Sequence, residues 1–153
     1  MRIVVACTFA ALAVVMPAAA FAAGADPTAK AQFVGPITVD GAKATLKVRY
    51  QCSAGSVLWV SAKETLRGYS ATKLMKEGSS RSASAWWDSH RNRIVCNGKS
   101  QVKSFTIDKV EKGKKGTLVD GSAWVQFCIT KPGKTQADTV LTLSKSGWVR
   151  VNA

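Results

Sequence analysis

The segment Ala42–Cys52, AKATLKVRYQC, sets Leu46, Val48, Tyr50 and Cys52 in strict alternation with Lys47, Arg49 and Gln51. A period of two puts every apolar side chain on one face and every polar one on the other, so this is a half-buried strand with its apolar side inward. Further strands are expected over Gln32–Val39, Ser56–Leu66, Arg93–Cys96, Val102–Asp108, Ser122–Thr130, Thr139–Ser144 and Trp148–Val151. Turn-forming sequences separate most of them: DGA at 40, SAGS at 53, NGK at 97, KGKKG at 112, KPGK at 131 and KSG at 145. Only Ala62–Glu77 has a composition that would form a helical turn or two, and Gly68 interrupts it. Many short strands without a long amphipathic helix point to an all-β, antiparallel sandwich.

The N-terminus addresses the chain to export. Arg2 precedes the apolar run IVVACTFAALAVVM, and PAAAFAAGADP follows with small residues at cleavage spacing. This is a secretory signal peptide over residues 1–22, cut after Ala22. The apolar run is shorter than the roughly 20 residues of a membrane-crossing helix, so no stable membrane insertion is expected. Residues 23–153, about 130 in number, fit one sandwich domain with a loose start over 23–31. The full chain carries a formal charge of +13, falling to about +12 when Arg2 leaves with the signal. Such a balance favours an acidic polymer as partner, and equally serves solubility.

Cys7 lies in the signal peptide, leaving Cys52, Cys96 and Cys128 in an oxidising compartment. Cys52 shares the inward phase of Val48 and Tyr50, and Cys96 shares a face with Ile94. A Cys52–Cys96 bridge is therefore expected, pinning an early strand to a middle one across the core, with Cys96–Cys128 as the rival pairing. Cys128 alternates with Trp124 and Gln126, whereas Val125, Phe127 and Ile129 take the other face. It is expected to be an unpaired, buried thiol.

The segments ATLKVRYQCSAGSVLWVSAKE, VCNGKSQVKSFTID and LVDGSAWVQFCIT resemble a family of small secreted bacterial proteins, mainly actinobacterial, of unknown function. That family has a tyrosine-x-cysteine strand, a valine-rich strand, a cysteine-aspartate-glycine turn and a closing strand. The resemblance covers about Ile37 to Thr130 and implies an immunoglobulin-like sandwich bridged between the positions of Cys52 and Cys96. Asn97 in place of aspartate, the tryptophan-rich Ser84–Asp88 and Cys128 depart from the pattern. No activity follows from it.

Catalytic signatures are absent. The chain has no G-x-S-x-G elbow, P-loop or H-E-x-x-H helix. One histidine and three scattered mature cysteines do not make a zinc site, so no metal or cofactor is expected. His90 with Cys128 is the sharpest catalytic pair, because a thiol needs a base to ionise. Cys128 nevertheless falls mid-strand, and His90 lies in the polar run DSHRNR, which reads as an exposed loop.

Ligand-binding candidates are of two kinds. Trp86 and Trp87 are adjacent, so on a strand one points inward and the other outward, where an exposed indole can stack on a sugar or anchor a protein. Lys109, Lys112, Lys114 and Lys115 form a basic loop, which Lys131 and Lys134 extend. The resulting expectation is an exported, non-enzymatic sandwich binding an acidic polymer, such as a cell-wall polymer, or a secreted protein. The alternatives are a small secreted enzyme acting on a wall polymer, or a protease or lysozyme inhibitor.

Overall fold

The structure, a computed structural model, describes residues 27–65, 83–91, 94–109, 116–135 and 138–153. Eight strands follow in chain order: β1 (Lys30–Phe33), β2 (Ile37–Asp40), β3 (Lys43–Gln51), β4 (Val57–Thr65), β5 (Ala83–Arg91), β6 (Gln101–Lys109), β7 (Gly121–Lys131) and β8 (Val140–Asn152). The all-β class holds among the described residues. The expected signal segment, 1–22, lies outside them. No helix among the described residues is long and apolar enough to cross a membrane.

The strands form one ladder rather than two separate sheets. Its order is β1-β3-β2-β8-β7-β4-β5-β6, and β6 returns to pair with β3. Seven strands thus close into a barrel, with β1 added on β3. β1 and β2 share one edge of β3: Thr45 faces Thr38 of β2, and Val48 faces Phe33 of β1. Two short seams complete the ring. At one, β2 runs parallel to β8 through Ile37↔Val151 and Thr38↔Asn152, an exception to the antiparallel expectation. At the other, β5 meets β6 only at Trp87↔Lys109 and Asp88↔Asp108.

Three expected strand boundaries shift, each for a local reason. Gln32–Val39 divides into β1 and β2 at Val34–Pro36, where Gly35 takes a φ of +75° and Pro36 has no N–H to donate to a ladder. Thr139–Ser144 and Trp148–Val151 fuse into β8. The intervening Lys145–Gly147 stays paired with Val125–Phe127, so the ladder overrides the turn composition. Ile94–Cys96 is not a strand; the strand of this region is β5, and Ile94 is held by its N–H donating to Ser56 O at 3.1 Å. Of the helical stretch expected over Ala62–Glu77, residues 62–65 belong to β4 and the remainder lies outside the described residues.

Alternation builds the core. Leu46, Val48 and Tyr50 of β3 face Leu58, Val60 and Ala62 of β4, Trp87 of β5, Ile107 of β6, Val125, Phe127 and Ile129 of β7, and Val149 and Val151 of β8. Tyr50, Phe105 and Phe127 form a triangle of rings with centroids 5.4–5.9 Å apart. Each large side chain buried in this way contributes roughly 1.5–3 kcal/mol.

Cys52 and Cys96 are bridged, with Cα atoms 4.7 Å apart and a sequence separation of 44. The bridge does not span the core as expected. It ties the end of β3 to the loop entering β6, next to Tyr50↔Gln101, where the two neighbouring strands meet. Gly98 N–H donates to Cys52 O at 2.8 Å, and the Gln51 amide donates to Gly98 O at 2.9 Å, fastening the same loop.

The turn from β3 into β4 depends on Gly55. Its φ is +117°, and a Cβ there would fall 2.6 Å from Ile129 Cγ2 and 2.8 Å from Thr142 Oγ1. Those atoms belong to the bulge between β7 and β8, where the Thr142 hydroxyl donates to Ile129 O at 2.9 Å. A backbone without a side chain is the only one that fits over that bulge.

Candidate functional site

The outer face of β5, β4, β7 and β8 gathers four of the five tryptophans. Outward residues of β4 alternate with its core residues, giving Trp59, Ser61 and Lys63. Register aligns three rows across the sheet. Trp86, Lys63, Trp124 and Trp148 form the first, Asp88, Ser61, Gln126 and Ser146 the second, and His90, Trp59, Cys128 and Ser144 the third.

Lys63 is the centre of the first row. Although it points away from the core, it is 0 % exposed. Its ammonium sits 4.7 Å from the Trp86 ring centroid and 5.7 Å from that of Trp59, and donates to Gln126 Oε1 at 3.1 Å. Nearby polar atoms have no hydrogen-bond partner: Ser61 Oγ, Trp86 Nε1 and Trp124 Nε1. This part of the face is closed and electrostatically braced by cation–π contact.

The other end of the row is open. Trp148 is 47 % exposed and stands edge-on to Trp124, with centroids 5.4 Å apart and planes at 75°. One step along the same outer face, Ser122 pairs with Arg150. These two join Asp120, Gly121, Val151 and Asn152 around a shallow cleft of about 630 Å³. Asp120 Oδ1 accepts the Ala153 N–H at 2.8 Å.

A second surface lies on the opposite side of the barrel. Lys43, Thr45, Lys47 and Arg49 occupy the exposed outer face of β3. Lys30 of β1 is opposite Gln51, and Gln32 is opposite Arg49, whose Nη1 donates to Gln32 Oε1 at 3.5 Å. Across β6 this face continues through Ser104, Thr106 and Asp108. Lys30, Arg49 and Ser100 also border a groove of about 300 Å³.

The residues expected to bind ligand are distributed unevenly. Trp86 and Trp87 do point to opposite faces. Trp87 is wholly buried, its indole N–H donating to Gly116 O at 3.2 Å, so it is inaccessible to a ligand. Trp86 is half-buried against Lys63. Lys109 ends β6 opposite Trp87, whereas Lys112, Lys114 and Lys115 lie outside the described residues. Lys131 and Lys134 are exposed at the end of β7. The chemistry-bearing positions that sequence reasoning passed over are Lys63, Trp148, Arg150 and the outward row of β3. The alternation that identified the core of β3 set Lys47, Arg49 and Gln51 on its polar face, without singling them out for binding.

Strand register places His90 and Cys128 in one row of the sheet. Both residues are opposite Trp59, one from each side, so their backbones stand two strand spacings apart, roughly 10 Å. Cys128 remains outside the disulfide, as expected, but is half-buried rather than buried, with Sγ 3.6 Å from Ser144 Oγ.

Among acids, Asp88 and Asp108 are directly opposite each other at the β5–β6 seam, and Asp108 Oδ2 accepts from Ser89 Oγ at 3.2 Å. Glu64 faces inward and Oε1 accepts the Val119 N–H at 2.7 Å. Burial pushes its carboxyl above the usual range, and the Val119 bond pulls partly back. No group of three or more potential metal ligands occurs among the described residues.

No protein-family model matches the chain, and no curated protein matches it. Among solved structures, the C-terminal domain of Wzt is similar at 15% identity, covering 85% of this chain and 81% of that one with a TM-score of 0.38. A likeness at that level carries no argument about this protein.

Proposed function

We propose that this protein is an exported, non-enzymatic module that binds an acidic polymer of the cell envelope. The observation that carries the reading is the outward row of β3, where Lys43, Lys47 and Arg49 lie on one exposed face beside Lys30. Alternate residues on a strand recur every 6.5–7 Å or so, within the Debye length of about 8 Å at physiological salt. Lys47 and Arg49, two residues apart, therefore act together on an anionic chain, whereas Lys43, about 13 Å from Lys47 and opposite Asp40 and Asp108, contributes less. The signal peptide supplies the compartment. An immunoglobulin-like arrangement, and kinship with the small secreted bacterial proteins of that type, belong to the same proposal. In favour of that arrangement, the first edge splits into β1 on β3 and β2 running parallel beside β8.

Hydrolysis of a wall polymer is the competing reading, and the Asp88–Asp108 pair is what favours it. A glycosidase needs its two carboxyls flanking a bound sugar, and neither cleft described above includes either aspartate.

The test is binding of residues 23–153 to polyuronate and polyphosphate at low and physiological salt, with Lys43→Gln/Lys47→Gln/Arg49→Gln in parallel. Binding that weakens with salt and drops at least tenfold in the triple variant is expected. Absence of binding to either polymer, or release of reducing ends that depends on Asp88, would overturn the reading.

A further inference from the structure

We infer that the open end of the tryptophan face is a sugar site: Trp148, propped by Trp124, stacks a pyranose ring whose carboxylate is held by Arg150. This inference rests on the acidic-polymer reading and names a repeat unit that such a polymer would present.

Trp148 is unusual in leaving nearly half of a large indole in solvent. A tryptophan on a barrel wall normally buries most of that area, and burying it against a ligand is favourable. Its orientation is fixed beforehand. Trp124 braces one side at 75°, so binding does not have to freeze a mobile ring. The C–H face of a pyranose fits a flat, rigid aromatic of this kind, whereas an inorganic phosphate chain has no apolar face to offer it.

Charge and hydroxyl chemistry lie at the right spacing. Arg150 is two residues from Trp148 on the same strand face, hence about 7 Å along it, and its side chain is exposed. A planar guanidinium matches a carboxylate through two parallel hydrogen bonds. Around it, the cleft of about 630 Å³ is lined by Asp120, Ser122 and Asn152. These supply acceptors and donors for ring hydroxyls. The bond from Ala153 N–H engages only Oδ1 of Asp120, so Oδ2 is positioned by a fixed carboxyl group. On the far side of Trp148, Gln126 and Ser146 continue the polar row. One cation beside one ring suits a singly acidic sugar.

The test is titration of a uronic-acid tetrasaccharide, followed by the indole N–H resonances and tryptophan fluorescence of the folded mature protein. The carboxyl-reduced neutral tetrasaccharide and polyphosphate serve as comparisons. The expected result is a shifted Trp148 signal, at least tenfold weaker binding for Trp148→Ala, and restoration by Trp148→Tyr. Arg150→Gln should lower affinity for the acidic tetrasaccharide about tenfold and leave the neutral one unchanged. Unchanged thermal midpoints of these surface variants establish that the fold is intact. Tetrasaccharide binding that ignores Trp148 and Arg150 but is lost in the Lys43/Lys47/Arg49 triple variant overturns the sugar site and leaves the polymer reading standing. Loss confined to Trp148→Ala and Arg150→Gln upholds the sugar site and overturns the β3 face as the polymer contact. No binding of any probe overturns both.

Discussion

Lys63 holds its ammonium 4.7 Å from the centre of the Trp86 ring on the outer face of the barrel, while exposing none of its own surface. The two residues are opposite each other across β4 and β5, so strand register produces the contact. A cation so far removed from water is stabilised by the ring quadrupole and by Gln126 Oε1. Trp86→Leu keeps apolar bulk but removes the quadrupole. It should lower unfolding free energy by about 1–2 kcal/mol, measured as a lower urea midpoint at unchanged slope.

The disulfide closes 44 residues of sequence separation, which on chain entropy contributes about 4 kcal/mol. Cys52→Ala/Cys96→Ala should lose stability of that order, and reduction of the wild type should have the same effect. Non-reducing peptide mapping should recover the Cys52 and Cys96 peptides as one linked species. A linked Cys96–Cys128 species would contradict it.

Glu64 makes stability depend on pH in a defined direction. Its folded-state pKa lies above the usual 4.5 because burial disfavours the anion. Ionisation therefore favours unfolding: the penalty is complete above the folded pKa, fades as pH falls through it, and vanishes below the unfolded value. Glu64→Gln retains an acceptor for the Val119 N–H without a charge. Its stability advantage over wild type should be greatest near neutrality and shrink as the solution is acidified toward pH 4.5. A pH-independent difference in thermal or urea midpoint would show that burial of the charge is not the cause.

Gly55→Ala combines a left-handed backbone with a Cβ that meets Ile129 and Thr142. The backbone alone costs roughly 1–3 kcal/mol, and displacement of the bulge adds to it. We expect a destabilisation of at least about 2 kcal/mol by urea unfolding. Gly41→Ala has a φ of +56°, in the milder left-handed helical region, and open space around the new Cβ, so it should cost less on both counts.

The sequence by itself determined which residues face inward. In β3 and β7 the side chain period is locked to two by backbone geometry, so Leu46, Val48, Tyr50, Val125, Phe127 and Ile129 were legible from alternation alone. The same parity separated Trp86 from Trp87 and placed Cys128 beside Trp124 and Gln126. Cys52 followed from the phase of β3, whereas Cys96 lies in a loop, so the Cys52–Cys96 pairing holds without the strand phase assigned to Cys96. Tertiary structure decided everything that depends on which strands are neighbours. Alternation assigns a face but says nothing of register between segments distant in sequence, because ladder hydrogen bonds are made by backbone groups common to all residues. Only the ladder could therefore fuse β8 through its glycine, close the barrel at Trp87↔Lys109 and set Trp59 between His90 and Cys128. The same register brings Lys63 between Trp86 and Trp124, and lays Trp148 beside Arg150 and the cleft at Ser122. The local sequence around each of these residues is an ordinary strand; the candidate site exists only where four such strands are aligned.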